Sequence, residues 1–265
     1  MPMTNGLYWE SHGATAGSTL ILSSGLGGSA NYWMPNLAAL AENHHVIIYD
    51  HRGTGRSERA IDGTLTVERM ADDVAALMDS IGIAHATIIG HALGGHIALA
   101  LALASPERVN GLVVINGWAK LDSHTARCFD TRLTLLRDSG PRAYLHAQPL
   151  FLYPPQWNSD HGDRLQAEEE EQFAHFPGAE MIQRRVAAVR HFNILASLRD
   201  IPMPALVIAS DDDMLVPSSC SARLADGLPD AQLARLVSGG HACNVTRADN
   251  FNAWLIDWLD SGDGK

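Results

Sequence analysis

Late in the chain, Ser210-Asp211-Asp212-Asp213-Met214-Leu215-Val216-Pro217 and Gly239-Gly240-His241 each follow a short apolar run that reads as a strand. A carboxylate and an imidazole brought to one sheet edge form a base with its orienter. The acid fixes the ring tautomer and stabilises the imidazolium, while the other ring nitrogen takes a proton from a donor. Asp213, four residues before Pro217, is the expected acid, with Asp212 as the fallback, and His241 is the expected base. The nucleophile is missing. Residues 87–95 read T-I-I-G-H-A-L-G-G, a strand ending in a glycine-flanked turn from which a helix starts at once. That is the layout of the elbow G-x-S-x-G, where a strained turn lifts one side chain to the sheet edge. Here the lifted residue is Ala92, and a methyl group neither attacks a carbonyl nor forms an ester.

Other residues complete the chemistry. Ser24-Gly25-Leu26-Gly27-Gly28 follows the first strong strand, so the N–H groups of Leu26 and Leu93 are the expected oxyanion donors. With no hydroxyl at 92, the proton donor for His241 would be water, and no covalent intermediate would form. His91, Trp33, Asn116 and Tyr153 are the candidates for lining a small pocket. For Arg52, loop capping or an ion pair outranks anion binding, and for His96, packing outranks catalysis. His124, His146, His161, His175 and His191 lie at no metal-ligand spacing, and no dinucleotide fingerprint appears. No metal and no cofactor are expected.

The elements that must position these groups alternate along the chain. Short runs rich in Val, Ile and Leu at 19–23, 45–49, 87–89, 112–115, 205–209 and 232–237 read as strands buried on both faces. Residues 67–81, 93–104, 219–228 and 248–259 read as helices. The pattern predicts an α/β fold with a mostly parallel sheet flanked by helices. The alternation lapses over 119–201, where amphipathic stretches at 125–137, 164–175 and 180–195 are broken by Gly140-Pro141, Pro154-Pro155 and Pro177-Gly178. An unstructured loop of that length is improbable, so a helical cap is expected there, inserted into a core of 1–118 and 202–265.

Composition narrows the partners. The chain has 265 residues, 46% hydrophobic, with 19 basic against 30 acidic side chains and a formal charge of −11. No Lys/Arg cluster exists to displace phosphate counterions, so no nucleic acid is expected. No stretch is apolar over 18 residues, and the first basic residue is Arg52, so neither a membrane span nor a secretory leader is expected and the cytoplasm is the expected location. Cys128, Cys220 and Cys243 are odd in number and widely spaced, as reduced thiols would be. The expected partner is a small-molecule substrate, with a two-fold homodimer through the cap or an outer helix left open.

The ordered set of elbow, D-x-R-G-x-G-x-S at 50–57, acid loop and histidine loop resembles the α/β-hydrolase fold family over nearly the whole chain. S-G-L-G-G-S with Tyr32-Trp33, G-H-A-L-G-G, residues 148–154 (Q-P-L-F-L-Y-P) and residues 239–246 (G-G-H-A-C-N-V-T) are similar to the hydrolases of the Rut pyrimidine-degradation pathway. That family carries Ala at the elbow, which argues against a third reading, an ordinary serine esterase inactivated by a Ser→Ala change. The resemblance implies hydrolysis of a small product of uracil ring breakdown, carbamate or 3-aminoacrylate. A non-catalytic binder that has kept the pocket is the competing class.

Overall fold

The computed structural model describes residues 3–261. The expected core ends, 1–2 and 262–265, lie outside the described residues. Five strands supply the centre of the sheet: β3 (Thr19–Ser23), β4 (His45–Tyr49), β5 (Ala86–His91), β6 (Val109–Ile115) and β7 (Ala205–Ser210). Their β-branched and leucine side chains are buried almost without interruption, because both faces carry helices. β1 (Met3–Thr4), β2 (Leu7–His12) and β8 (Ala231–Leu236) complete an eight-stranded sheet in the order β1-β2-β4-β3-β5-β6-β7-β8. β1 with β2 and β2 with β4 pair antiparallel, and every other pair is parallel.

The structure corrects one expectation. The sequence pattern predicts that β8 is buried on both faces, yet most of it is exposed or half-buried and Val237 is 85% exposed. It is one of the two edge strands, with β7 on one side only.

Register brings the parallel strands to a common carboxyl edge. Ser23 lies opposite Gly90, His91 opposite Ile115, Ile115 opposite Ile208 and Ser210 opposite Leu236. The loops after β3, β5, β6, β7 and β8 therefore leave the sheet side by side. An open α/β sheet binds ligands at this edge.

On one face lie α2 (Val67–Ser80), α3 (Leu93–Ala104) and α8 (Ser218–Gly227), which contribute Val74, Leu77, Ile97, Leu99 and Leu224 to the larger core. α2 starts where the Thr66 side chain accepts the Arg69 N–H. α3, L-G-G-H-I-A-L-A-L-A-L-A, is buried nearly all round, as its uniform apolarity requires. On the other face, α1 (Met34–Ala41) and α10 (Ala248–Asp260) pack with Leu20, Leu22, Val46, Ile48, Phe251 and Leu255.

Between β6 and β7 the chain forms α4 (Ser123–Leu152), α5 (Pro155–Asp160), α6 (Gly162–Ala174) and α7 (Ala179–His191). α4 is two arms meeting at Gly140, whose φ of 83° and ψ of −178° no helix accommodates. The ends of this segment close on each other, with a bridge between Lys120 and Asn193 and the Ile194 N–H donating to the Ala119 carbonyl at 2.9 Å. The next short helix, α9 (Cys243–Thr246), follows the histidine loop.

Candidate active site

The elbow forms, and its strain is kept. Ala92 joins β5 to α3 at φ 48° and ψ −109°, a conformation that residues with a Cβ rarely adopt. Its N–H is fixed by the Ile115 carbonyl at 2.8 Å. The flanking glycines are required by close approach: a Cβ at Gly94 would run into the Ser23 carbonyl, and one at Gly90 into the Gly94 backbone. Leu93 N–H, at the first residue of α3, has no intrahelical acceptor and points out of the helix start.

The facing loop after β3 is a tight turn closed by Gly28 N–H to the Gly25 carbonyl at 3.0 Å, which leaves Leu26 N–H outside the turn's own bond. The segment after β4 holds this loop. His51 N–H donates to the Gly28 carbonyl at 2.8 Å, and the buried carboxylate of Asp50 accepts Ala30 N–H at 2.8 Å and the Arg56 guanidinium. Arg52 is bound to Asp73 and Glu58, an ion-pair role.

His241 and Asp213 meet. His241 Nδ1 lies 2.7 Å from Asp213 Oδ2, with side chains only 3% and 0% exposed. A carboxylate accepts only, so Nδ1 carries the proton and Nε2 keeps the lone pair. No described residue bonds Nε2. The other Asp213 oxygen accepts the N–H groups of Leu215 and Val216 at 2.7 and 2.9 Å. Asp212 acts on the backbone instead. Its Oδ1 accepts Gly239 and Gly240 N–H at 2.9 and 2.8 Å, pinning the histidine loop to the acid loop.

Two of the four pocket candidates are spent on that loop. His91 Nε2 donates to the His241 carbonyl at 2.8 Å, and Asn116 Nδ2 donates to the same carbonyl at 2.7 Å. Asn116 also accepts the Ser210 N–H at 3.0 Å from a left-handed backbone position, φ 50°, at the end of β6. Burial pushes His91 well below the ordinary imidazole value, so its ring is neutral, stacked on Tyr32. Trp33 is fully buried in the core under α1 and α10. Tyr153 follows Leu152, whose carbonyl accepts Ala242 N–H at 3.0 Å, and lines a shallow recess with Gln148, Leu165 and Glu168. Burial pushes its hydroxyl up to about 12. His96 packs between Trp118 and Phe192, lowered by burial to about 3.

Sequence reasoning missed two buried arginines in the helices above this edge. Arg185 of α7 is fully buried and donates to the Leu26, Gly27 and Arg52 carbonyls at 3.0, 3.2 and 3.0 Å, so it fixes the loop that carries Leu26 from above. Burial lowers it to about 10. Arg132 of α4, 3% exposed, donates through Nη2 to the Tyr144 hydroxyl and Gln148 Oε1 at 2.9 and 2.8 Å. A signal existed for both. Arg185 interrupts the apolar stripe Met181, Ile182, Val186, Val189, and Arg132 interrupts Thr125, Cys128, Phe129, Leu136.

Comparison with known proteins agrees with this architecture. Residues 18–150 match the family described as alpha/beta hydrolase fold. A protein of Caulobacter sp. (strain K31) named "Putative carbamate hydrolase RutD" is 50% identical over 257 residues, 96% of each chain. One of Variovorax paradoxus (strain S110), with the same name, is 50% identical over 254 residues, again 96% of each. The chain belongs to the alpha/beta hydrolase fold family, in its RutD group. Among solved members of the fold, an enol-lactonase from Burkholderia xenovorans LB400 superposes with a TM-score of 0.88 at 28% identity, covering 97% of this chain and 98% of that one. In this alpha/beta hydrolase Asp213, His241 and the segments that carry Leu26 and Leu93 occupy the carboxyl edge of the sheet, around an elbow that presents a methyl group. Among the described residues, no helix is long and apolar enough to cross a membrane and no group of three His, Cys, Asp or Glu side chains could hold a metal ion.

Proposed function

We propose that the chain is a carbamate hydrolase of pyrimidine catabolism that activates water with His241 and Asp213 and forms no covalent intermediate. The observation that carries this reading is the intact His241–Asp213 pair, 2.7 Å apart and buried, beside Ala92. A binder has less need of a paired base whose free nitrogen is left without a protein partner. The carbamate hydrolase relatives, half identical over almost the whole chain, support the substrate.

In this mechanism water occupies the place of the absent serine oxygen. His241 Nε2 takes one of its protons as its oxygen bonds to the carbamate carbon, and Asp213 stabilises the imidazolium. The Leu26 and Leu93 amides hold the oxygen on which charge grows. The C–N bond then breaks, the imidazolium proton goes to the departing nitrogen, and carbamate plus water become ammonia and bicarbonate, in equilibrium with carbon dioxide. The helices between β6 and β7, within 119–201, act as a cap over a core of 1–118 and 202–265 and keep bulk water out. General-base assistance contributes about 10²- to 10⁴-fold and one oxyanion donor about 10²- to 10³-fold. That is enough for a compound that already hydrolyses unaided.

The same groups serve 3-aminoacrylate, which plus water gives malonic semialdehyde and ammonia. Ammonia release from freshly generated carbamate and 3-aminoacrylate, followed against buffer, tests the reading. Acceleration of carbamate loss is expected. Acceleration of aminoacrylate alone would transfer the assignment, and acceleration of neither would leave a binding protein.

A further inference from the structure

We propose that Arg132 is the residue that binds the substrate's carboxylate, making the pocket selective for small anions over neutral isosteres. The assignment rests on the anionic substrate proposed above and adds the group that recognises it.

Like Arg132, Arg185 leaves its Nε without a partner, but it, Arg52 and Arg56 each bond through at least two of their nitrogens. Arg52 and Arg56 are paired with carboxylates, and Arg185 spends both terminal nitrogens on carbonyls. Arg132 is as secluded, yet a single nitrogen does all its bonding: Nη2 reaches Tyr144 and Gln148, both neutral. Nε is buried with no partner, and no described residue bonds Nη1. No carboxylate of the described residues pairs with it, in a chain with 30 acidic side chains. A secluded cation without a counter-charge is costly, and the Nε–H and Nη1–H groups of Arg132 are left to donate to an anion.

Position supports the same role. The arm of α4 that carries Arg132 rests on the acid loop: His124 Nε2 donates to the Met214 carbonyl at 2.8 Å and Thr125 Oγ1 to the Leu215 carbonyl at 2.9 Å. The arm that carries Tyr144 and Gln148 ends at Leu152, bonded to Ala242 beside the base. Tyr144 lies near Arg185, whose guanidinium holds the Leu26 carbonyl. Arg132 therefore sits among the elements that carry the acid, the base and one oxyanion donor. The rings of Phe151 and Tyr144 lie near its guanidinium, at 5.7 and 5.1 Å.

The test uses inert ligands, so it does not depend on turnover. Binding of acetate and of its neutral counterpart acetamide is measured calorimetrically on the wild type, Arg132→Gln and Arg132→Lys. Acetate is expected to weaken about 10- to 100-fold in Arg132→Gln, as for a lost charged hydrogen bond, and to recover in part in Arg132→Lys. Acetamide should bind all three alike. No acetate binding to the wild type, or equal acetate affinity across the three, overturns the assignment. Should Arg132→Gln fail to fold, Tyr144→Phe removes only the oxygen that aims the guanidinium. Weaker acetate with unchanged acetamide then supports the assignment, and any other pattern overturns it. Acetate selectivity without carbamate or aminoacrylate turnover would remove the hydrolase reading and leave the anion site standing. Turnover with Arg132-independent acetate binding would do the reverse.

Discussion

Ala92 holds a backbone conformation whose use is to present a side chain, φ 48° and ψ −109°, and presents a methyl. The strain is kept because the neighbours demand it: Gly94 is pressed against Ser23, and Ala92 N–H is tied to β6. In the proposed mechanism the space above the methyl belongs to water. Ala92→Ser puts a hydroxyl there, and steady-state ammonia release should fall or stay level rather than rise. A gain of tenfold or more, with an acyl adduct in the intact mass, would show that serine chemistry is what the site lacks. At this scale the sequence was legible where motif and chain order agreed, as at Asp213, His241 and Ala92. It was less so where one residue type serves either purpose. His91 and Asn116 offer their polar atoms to the His241 carbonyl, a bond across more than a hundred residues that spacing cannot reveal. Arg132 and Arg185 carried a readable signal, a charge in an apolar helical stripe, and only packing shows what each faces.

Elements deliver these residues by register and close packing. α3 starts within a bond of the elbow and lies so near β3 that position 94 has no room for a side chain. Gly94→Ala should cost about 1–3 kcal/mol or more, as overpacking against backbone does, read as a lower midpoint in urea unfolding. An unchanged midpoint would mean that the strand and helix are less closely joined than described. The buried parallel strands and α3 were plain in the sequence because apolar runs of strand length and a wholly apolar helix are unambiguous. β2 was not, since L-Y-W-E-S-H mixes polar and aromatic residues on an antiparallel strand near the sheet edge. α1 was hidden because M-P-N-L-A-A-L-A is short and has a proline at its second position. The break at Gly140-Pro141 was legible, but not that the two arms would fold together through Arg132 and Tyr144.

The whole molecule is acidic outside, at −11, while its interior beneath α4 and α7 holds two arginines without carboxylate partners. In the proposed function an anionic substrate is recognised locally, against the overall field. The interior also sets the response to acid. Burial holds His51 and His91 well below the ordinary imidazole value of 6.5, and lowers His96 to about 3. Above about pH 6.5 these rings are neutral whether the chain is folded or not. As pH falls below that, only the unfolded chain takes up the protons, so stability present near neutrality is lost toward the folded values. Each ring can contribute up to about 1.4 kcal/mol per pH unit over that window. Unfolding free energy should therefore drop steeply from about pH 7 to about pH 5, and a flat profile would mean that these histidines protonate without unfolding. Hydrolysis by the proposed route depends on His241 above every other residue. Carbamate loss catalysed by the wild type and by His241→Ala, measured at equal protein concentration against buffer, is the most direct comparison. The mechanism predicts that His241→Ala returns the rate to that of buffer, and a variant that turns over carbamate as fast as the wild type would contradict it.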